Sequence, residues 1–247
     1  MRGLREAARY LTIVPMGDGR APMTAPPGRA VVWFPVVGLL IGLAVVLVDR
    51  ITTWAFPSLL AALLTLTTWK LLTGGLHLDG LADCLDGLAG HDPAHRLTIM
   101  HDSRIGAFGA IGLILFLLLE LAAIAELAPA PRWRALLTAP VVARAMPALL
   151  ARIFHSARAE GHGARFLADV PRRSVAVTLG CATIVSIVCL GLAGIVALAA
   201  AALTAVAVSQ FMSRRLRGIT GDVLGAAVEL SELAVLLAVS AWTHVPR

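Results

Sequence analysis

Residues 30–48 read AVVWFPVVGLLIGLAVVLV, a stretch without a charged side chain. As a helix it would be about 28 Å long, which matches the hydrocarbon core of a bilayer. Similar apolar stretches recur near residues 53–72, 106–126, 135–151, 174–192, 194–212 and 223–243. The chain has 247 residues, of which 58% are hydrophobic and 15% charged. We therefore expect an all-α, polytopic transmembrane helical bundle of about seven spans, with six and eight as the limits, forming one integral membrane domain over residues 1–247.

The basic residues indicate how the chain is oriented. Of its 21 lysine and arginine residues, 16 precede the first span or flank the polar segments 73–104, 152–173 and 213–222. The positive-inside tendency then predicts that the N-terminus and segment 73–104 face the cytoplasm, and thus an inner-membrane protein. The net charge of +6 does not indicate nucleic-acid binding, because the basic residues form no single run and accompany no nucleic-acid module. Within segment 1–29, apolar residues recur at helical spacing opposite arginines, which predicts a short amphipathic helix on the lipid surface.

Segment 73–90 reads TGGLHLDGLADCLDGLAG and carries three aspartates among glycines and leucines. On a helix, Asp83 lies about 40° from Asp79 and Asp86 about 20° on its other side, so the three share one narrow face. His77 falls about 160° away, which makes it a poor co-ligand on a continuous helix. Clustered carboxylates in an apolar chain need a cation, and hard oxygen ligands favour Mg²⁺ or Mn²⁺ over Zn²⁺. A divalent cation beside a membrane suits a diphosphate substrate.

Residues 96–109 form a second polar motif, RLTIMHDSRIGAFG. Arg104 offers a forked donor for phosphate, Ser103 a hydroxyl group, and Asp102 either a further ligand or a base. The alternative is that Asp102 or Ser103 caps the next helix while Arg104 lies at the membrane interface.

Residues 218–232, GITGDVLGAAVELSE, form a third motif. On a helix, Glu229 lies about 20° and Glu232 about 80° from Asp222, which predicts a second acidic stripe entering the last span. Within the fourth span, Arg144 must face a polar interior or pair with an acid.

The three motifs together resemble the cobalamin synthase family, the adenosylcobinamide-GDP ribazoletransferases of the late vitamin B12 pathway. Softer likenesses are YLTIVP at 10–15 and FPVVGLLIG at 34–42. The resemblance implies an inner-membrane enzyme that uses Mg²⁺ to join α-ribazole, or its 5′-phosphate, to adenosylcobinamide-GDP with release of GMP. Two positions depart from the family pattern: His101 stands where lysine is common, and Cys84 where threonine is common.

Carried onto this chain, the family's acidic motif falls on Asp79, Asp83 and Asp86. The mechanistic hypothesis places Mg²⁺ on these three residues and Asp222. It places the catalytic carboxylates among Asp83, Asp86 and Asp102, and favours Asp86 or Asp102 as the group that takes the hydroxyl proton. The candidate substrate-binding residues are Lys70, His77, Ser103, Arg104, Arg144, Thr220, Glu229 and Glu232.

Two other functions stay open at this point. A phospholipid-type enzyme is one, because Asp83, Asp86, Gly87 and Ala89 fit the opening of the CDP-alcohol phosphotransferase motif, although Gly90 replaces its arginine. An ion- or proton-coupled transporter is the other, with the two acidic stripes as its pathway. The sequence leaves the number of metal ions and any homo-oligomer undetermined.

Overall fold

The computed structural model describes residues 2–14 and 27–245. Residues 15–26, which belong to the predicted N-terminal segment, lie outside the described residues. Within those ranges the chain is helical, and a single isolated bridge joins Ser156 to Ile219. The α-helices are α1 Arg2–Leu11, α2 Phe34–Ala55, α3 Ser58–Leu72, α4 Leu76–Asp86, α5 Pro93–Ile99, α6 Ala107–Glu126, α7 Pro129–Ile153, α8 His162–Asp169, α9 Arg172–Leu190, α10 Leu192–Leu216 and α11 Gly221–His244. Two 3₁₀ helices cover Pro27–Trp33 and Gly87–Ala89.

Six of the described helices are long and apolar enough to cross a membrane. They are Gly28–Ala55, Ala107–Glu126, Pro129–Ile153, Arg172–Leu190, Leu192–Leu216 and Gly221–His244. The predicted span at 53–72 differs, because α3 starts only after Pro57 and its 15 residues give a rise of about 22 Å. It forms a pair with Leu76–Ala89, bent by 90°, which is a broken span or a re-entrant loop. Counting this pair gives seven spans, and the predicted polytopic helical bundle is confirmed.

Helices α7 and α11 form the centre of the bundle. In their most apolar stretches, 78% and 72% of residues are buried, against 22–44% in the other four candidate spans of the described chain. Glycines of α2 bring its backbone against α7: a Cβ at Gly38 would lie 2.6 Å from Pro140 O, and one at Gly42 2.7 Å from Leu137 O. Small residues at such crossings are typical of membrane helices. The outer helices expose leucine, isoleucine and valine side chains, as a lipid-facing surface requires.

Helices α9 and α10 form a tight hairpin, in which small residues allow the two helices to approach closely. Gly191 turns the chain with a φ of 61°, and the Ser186 hydroxyl donates to Gly194 O at 2.8 Å. Ser231 of α11 donates to Ala201 O at 3.2 Å, which fixes the hairpin on the central helices. We assign the α9–α10 hairpin a structural role.

A buried ion pair joins α2 to α7 far from the polar motifs. Asp49 accepts from Arg132 at 2.5 Å, and both side chains are almost completely buried. Neither Asp49 nor Arg132 was among the functional residues predicted from the sequence. Because a buried charge is stable only when paired, the pair fixes the register of the two helices.

Candidate active site

Two glycines set the direction of α4, the helix that carries the three aspartates. Gly74 and Gly75 have φ values of 64° and 66°, a left-handed conformation that favours glycine, and they turn α4 away from α3. The turn places Asp79 and Asp83 on the wall of a cleft of about 820 Å³ at one end of the bundle. The 73–104, 152–173 and 213–222 segments all contribute residues to this cleft, as does α1.

Asp79 and Asp83 have no hydrogen-bond or ion-pair partner among the described residues. Asp222, which lines the same cleft, accepts from the Thr220 hydroxyl at 3.1 Å and lies 3.8 Å from Arg158. These three carboxylates and Asp102 line the cleft, and two of them, Asp79 and Asp83, form no ion pair among the described residues. Such a set of hard oxygen donors fits a divalent cation such as Mg²⁺.

Glycine and threonine explain why the acidic motifs of α4 and α11 meet. A Cβ at Gly80 would lie 2.7 Å from Asp222 O, so only glycine lets the two helices come this close. Thr220 caps α11 by accepting from Val223 N at 3.3 Å. The predicted partnership of Asp222 with the α4 aspartates is therefore built into the helix crossing.

Asp86 does not join the other two aspartates in the cleft. Its Oδ2 accepts from Gly106 N at 2.7 Å and its Oδ1 from Gly109 N at 2.8 Å, which caps the start of α6. A Cβ at either glycine would clash with this carboxylate, so the RIGAFG motif supplies the space and the donors for Asp86. The helical projection placed Asp86 on the acidic face correctly, but α6 covers that face at the end of α4.

The loop before α6 supplies Asp102, Ser103 and Arg104 to the rim of the cleft. Arg104 donates to both oxygens of Asp102, with the shortest contact at 2.7 Å, and its side chain is 87% exposed. Hydrogen bonds from the Arg104 side chain and backbone lower the pKa of Asp102 to about 2. The pair is open to solvent, so a phosphate can compete for the guanidinium.

The remaining predicted substrate-binding residues form a separate, buried network. Lys70 Nζ lies 2.5 Å from Glu229, 2.9 Å from Glu120 and 3.2 Å from Glu232, and Arg144 pairs with Glu232. Lys70, Arg144, Glu229 and Glu232 line neither this cleft nor the smaller one beside it. Glu229 shares the angular face of Asp222, but seven residues place it about 10 Å deeper along α11. The three glutamates have oxygens within 4.8 Å of one another, yet the Lys70 ammonium already lies among them and Arg144 pairs with Glu232.

His77 lies between the carboxylate-lined cleft and the buried network around Lys70. It is buried, lines a second cleft of about 390 Å³, and its Nδ1 has no hydrogen-bond partner. Sequence reasoning did not single out Arg9, Tyr10 and Arg158 as site residues, although all three line the larger cleft. The YLTIVP motif, which begins at Tyr10, was the available signal for α1.

These features define an integral membrane protein with a carboxylate-lined cleft at one end of a helical bundle. The chain belongs to the family described as Cobalamin-5-phosphate synthase, which it matches over residues 3–240. It is similar to proteins named adenosylcobinamide-GDP ribazoletransferase in three bacteria. The Geotalea daltonii protein is 36% identical, with 94% of each chain covered; the Pseudomonas paraeruginosa protein is 38% identical, covering 97% of this chain and 98% of the relative; and the Citrobacter koseri protein is 41% identical, covering 85% and 87%. No solved structure matches this chain significantly. The comparisons do not favour a phospholipid enzyme or a transporter.

Proposed function

We propose that the cleft joins α-ribazole, or its 5′-phosphate, to adenosylcobinamide-GDP. A ribazole hydroxyl oxygen forms a bond to the phosphorus nearer cobinamide, the bond from that phosphorus to the GMP oxygen breaks, and GMP leaves. The hydroxyl proton passes to a carboxylate of the protein. The observation that carries this proposal is the pair of unpartnered carboxylates, Asp79 and Asp83, beside Arg104 and Arg158 in one cleft.

The proposal includes Mg²⁺ held by Asp79, Asp83 and Asp222. When bound, the ion would neutralise the diphosphate oxygens and stabilise the departing phosphate. The fit rests on the donor set: carboxylate oxygens that face a cleft, two of them without a protein cation. The glutamate group around Lys70 is a weaker candidate, because its ammonium partner already lies among the oxygens.

We assign the hydroxyl proton to Asp83. The sequence favoured Asp86 or Asp102 for this role, but both oxygens of Asp86 accept backbone N–H groups and those of Asp102 accept from Arg104. A general base needs a free oxygen within reach of the substrate hydroxyl. Asp83 lines the cleft and has no partner among the described residues, so one of its oxygens can bind Mg²⁺ while the other accepts the proton.

We also propose that the cleft faces the cytoplasm, in an inner membrane. Helix α1, the loop at 100–105 and Arg158 all contribute to the same cleft, so the basic segments counted in the sequence gather at one end of the bundle. The positive-inside tendency assigns that end to the cytoplasm. Membrane lipid would surround the outer helices.

The test is GMP release by the purified full-length chain, supplied with adenosylcobinamide-GDP, α-ribazole and Mg²⁺. We expect release to require all three, and Asp83→Asn to lower the rate by about 100-fold or more. Asp92→Asn is the matched control, because this carboxylate is exposed and caps α5, a role that asparagine also fills. Absence of GMP from the wild-type chain, or a normal rate from Asp83→Asn, would overturn the proposal.

A further inference from the structure

The segment between α7 and α8 places an arginine beside the carboxylates of the larger cleft. Ala157 N donates to Ile219 O and Ile219 N donates to His155 O, both at 2.9 Å, so a short parallel bridge fixes this segment to the residues before α11. Glycine at 218 allows the approach, since a Cβ there would lie 2.6 Å from Ala157 N. Arg158 follows the bridge directly and lines the cleft. The backbone therefore sets its position.

The Arg158 side chain lies near Asp222 without a hydrogen bond to it. The Nη2 atom is 3.8 Å from Asp222 Oδ2, which is longer than a hydrogen bond, and that oxygen accepts from the Thr220 hydroxyl instead. The backbone of Arg158 bonds to the Ser156 hydroxyl, but its guanidinium donates no hydrogen bond within the described residues. Nη2 faces Asp222 and is closed to solvent, while 32% of the side chain stays exposed. The guanidinium thus keeps donors free for a ligand.

Arg104, the phosphate contact expected from the sequence, differs in this respect. Its guanidinium donates to both oxygens of Asp102, and the pair lies at the exposed rim of the cleft. A ligand must displace a carboxylate to reach Arg104, whereas Arg158 has no hydrogen bond to lose within the described part of the chain. Of these two arginines, Arg158 is the better placed to bind an anion.

The surroundings of Arg158 favour an anion that also binds a cation. Asp79, Asp83 and Asp222 line the same cleft, and their charges would repel a simple anionic ligand. A phosphate group suits both kinds of partner, because its oxygens bind Mg²⁺ and also accept the forked hydrogen bonds of arginine. Until such a ligand arrives, Arg158 offsets part of the charge of Asp222 across the 3.8 Å gap.

We propose that Arg158 binds the diphosphate of the donor substrate and that it exchanges partners when this substrate binds. The inference rests on the proposed function for the identity of the diphosphate and the cation. In the free protein, Arg158 faces Asp222. In the complex, its guanidinium donates to a diphosphate oxygen, and Asp222 is left to the cation. The arginine then stabilises the negative charge on the phosphate groups during transfer.

This exchange predicts opposite effects of one substitution on two ligands. Arg158→Gln removes a positive charge beside Asp222, so the nucleotide-free chain should bind Mn²⁺, a paramagnetic probe of the cation site, as tightly as wild type or up to about 5-fold more tightly. The same variant should bind GDP in the presence of Mn²⁺ about 10- to 150-fold more weakly, because a charged hydrogen-bond partner is lost. Electron paramagnetic resonance of free Mn²⁺ and equilibrium dialysis of GDP measure the two affinities without turnover.

Two further variants separate the fork from the charge and from the segment. Arg158→Lys keeps the charge but loses the fork, and it should recover only part of the GDP affinity. Arg165→Gln is the matched control, because this arginine of α8 is exposed and lines neither cleft. It should match wild type in both assays.

Steady-state kinetics assign the contact to one substrate. With α-ribazole as acceptor, Arg158→Gln should raise the KM for adenosylcobinamide-GDP. A rise confined to the KM for α-ribazole 5′-phosphate would place the arginine on the acceptor and overturn the assignment.

Other outcomes also overturn the inference. Unchanged GDP affinity in Arg158→Gln would do so, and weaker binding of both Mn²⁺ and GDP with a lower unfolding midpoint would make Arg158 a structural residue. If wild type binds neither ligand, the proposed function fails as well. If wild type binds both and Arg158→Gln binds them equally, only the role of Arg158 is lost.

Discussion

Replacing Asp86 with alanine separates a helix-capping role from metal binding. The substitution removes the acceptors of Gly106 N and Gly109 N, at a position that is almost completely buried. Each orphaned N–H costs about 1–3 kcal/mol, so the loss is about 2–6 kcal/mol. At about 2–4 °C per kcal/mol for a chain of this size, the unfolding midpoint should fall by at least about 4 °C. Asp86→Asn keeps one acceptor oxygen and should lose about half as much.

The assay is thermal unfolding of the detergent-solubilised chain, followed by tryptophan fluorescence, with Mg²⁺ titration of GMP release at a temperature where each variant is folded. Asp79→Ala is the matched control, because that carboxylate has no partner to lose among the described residues. We expect Asp79→Ala to keep its midpoint and lose activity, and Asp86→Ala to lose stability without a changed Mg²⁺ requirement. The reasoning is refuted if Asp86→Ala unfolds at the wild-type temperature and needs more Mg²⁺.

Three further predictions concern the interior, the helix crossing and the rim. Lys70→Met should lower the free energy of unfolding by about 3–5 kcal/mol, since it leaves buried glutamates unpaired. Adding Glu229→Gln should recover part of this loss in unfolding measurements, whereas additive losses from the two substitutions would contradict the prediction. Gly80→Ala should lower both stability, by about 1–3 kcal/mol, and GMP release, because its Cβ would meet the backbone of α11, whereas Gly180→Ala has open space and should be neutral; equal effects would contradict the crossing. Asp102→Asn should keep most of its GMP release across neutral pH, because the low pKa of this carboxyl keeps it ionised there and paired with a guanidinium; abolished release would make it the base.

The membrane architecture could be predicted from apolar stretches of bilayer length, because the bilayer imposes helix length directly on sequence. The bend after α3 could not, since the stretch at 53–72 is equally apolar whether it crosses fully or stops short. The start at Ser58 follows from Pro57, and the departing angle from the two left-handed glycines at 74 and 75. These local features lie in the sequence, but the direction that they give to α4 depends on the helices against which α4 packs.

The candidate site was predicted in part. Helical spacing identified Asp79, Asp83 and Asp222, and the structure brings them to one cleft. A helical projection gives the angle of a residue around the helix, but neither its depth along the helix nor the elements that pack against it. It therefore grouped Glu229 with Asp222 and did not show that α6 covers Asp86. The stacked rings of Tyr10, Phe34 and Phe166 come from three distant segments, and single residues such as Phe166 give no periodic signal.

The most direct measurement of the central claim is the stoichiometry of the reaction. Purified protein, adenosylcobinamide-GDP, α-ribazole and Mg²⁺ should yield GMP and adenosylcobalamin in equal amounts, and chelation of the metal should stop both. GMP released without α-ribazole, product formed at full rate in the presence of chelator, or product formed by Asp79→Asn and Asp83→Asn at the wild-type rate would contradict it.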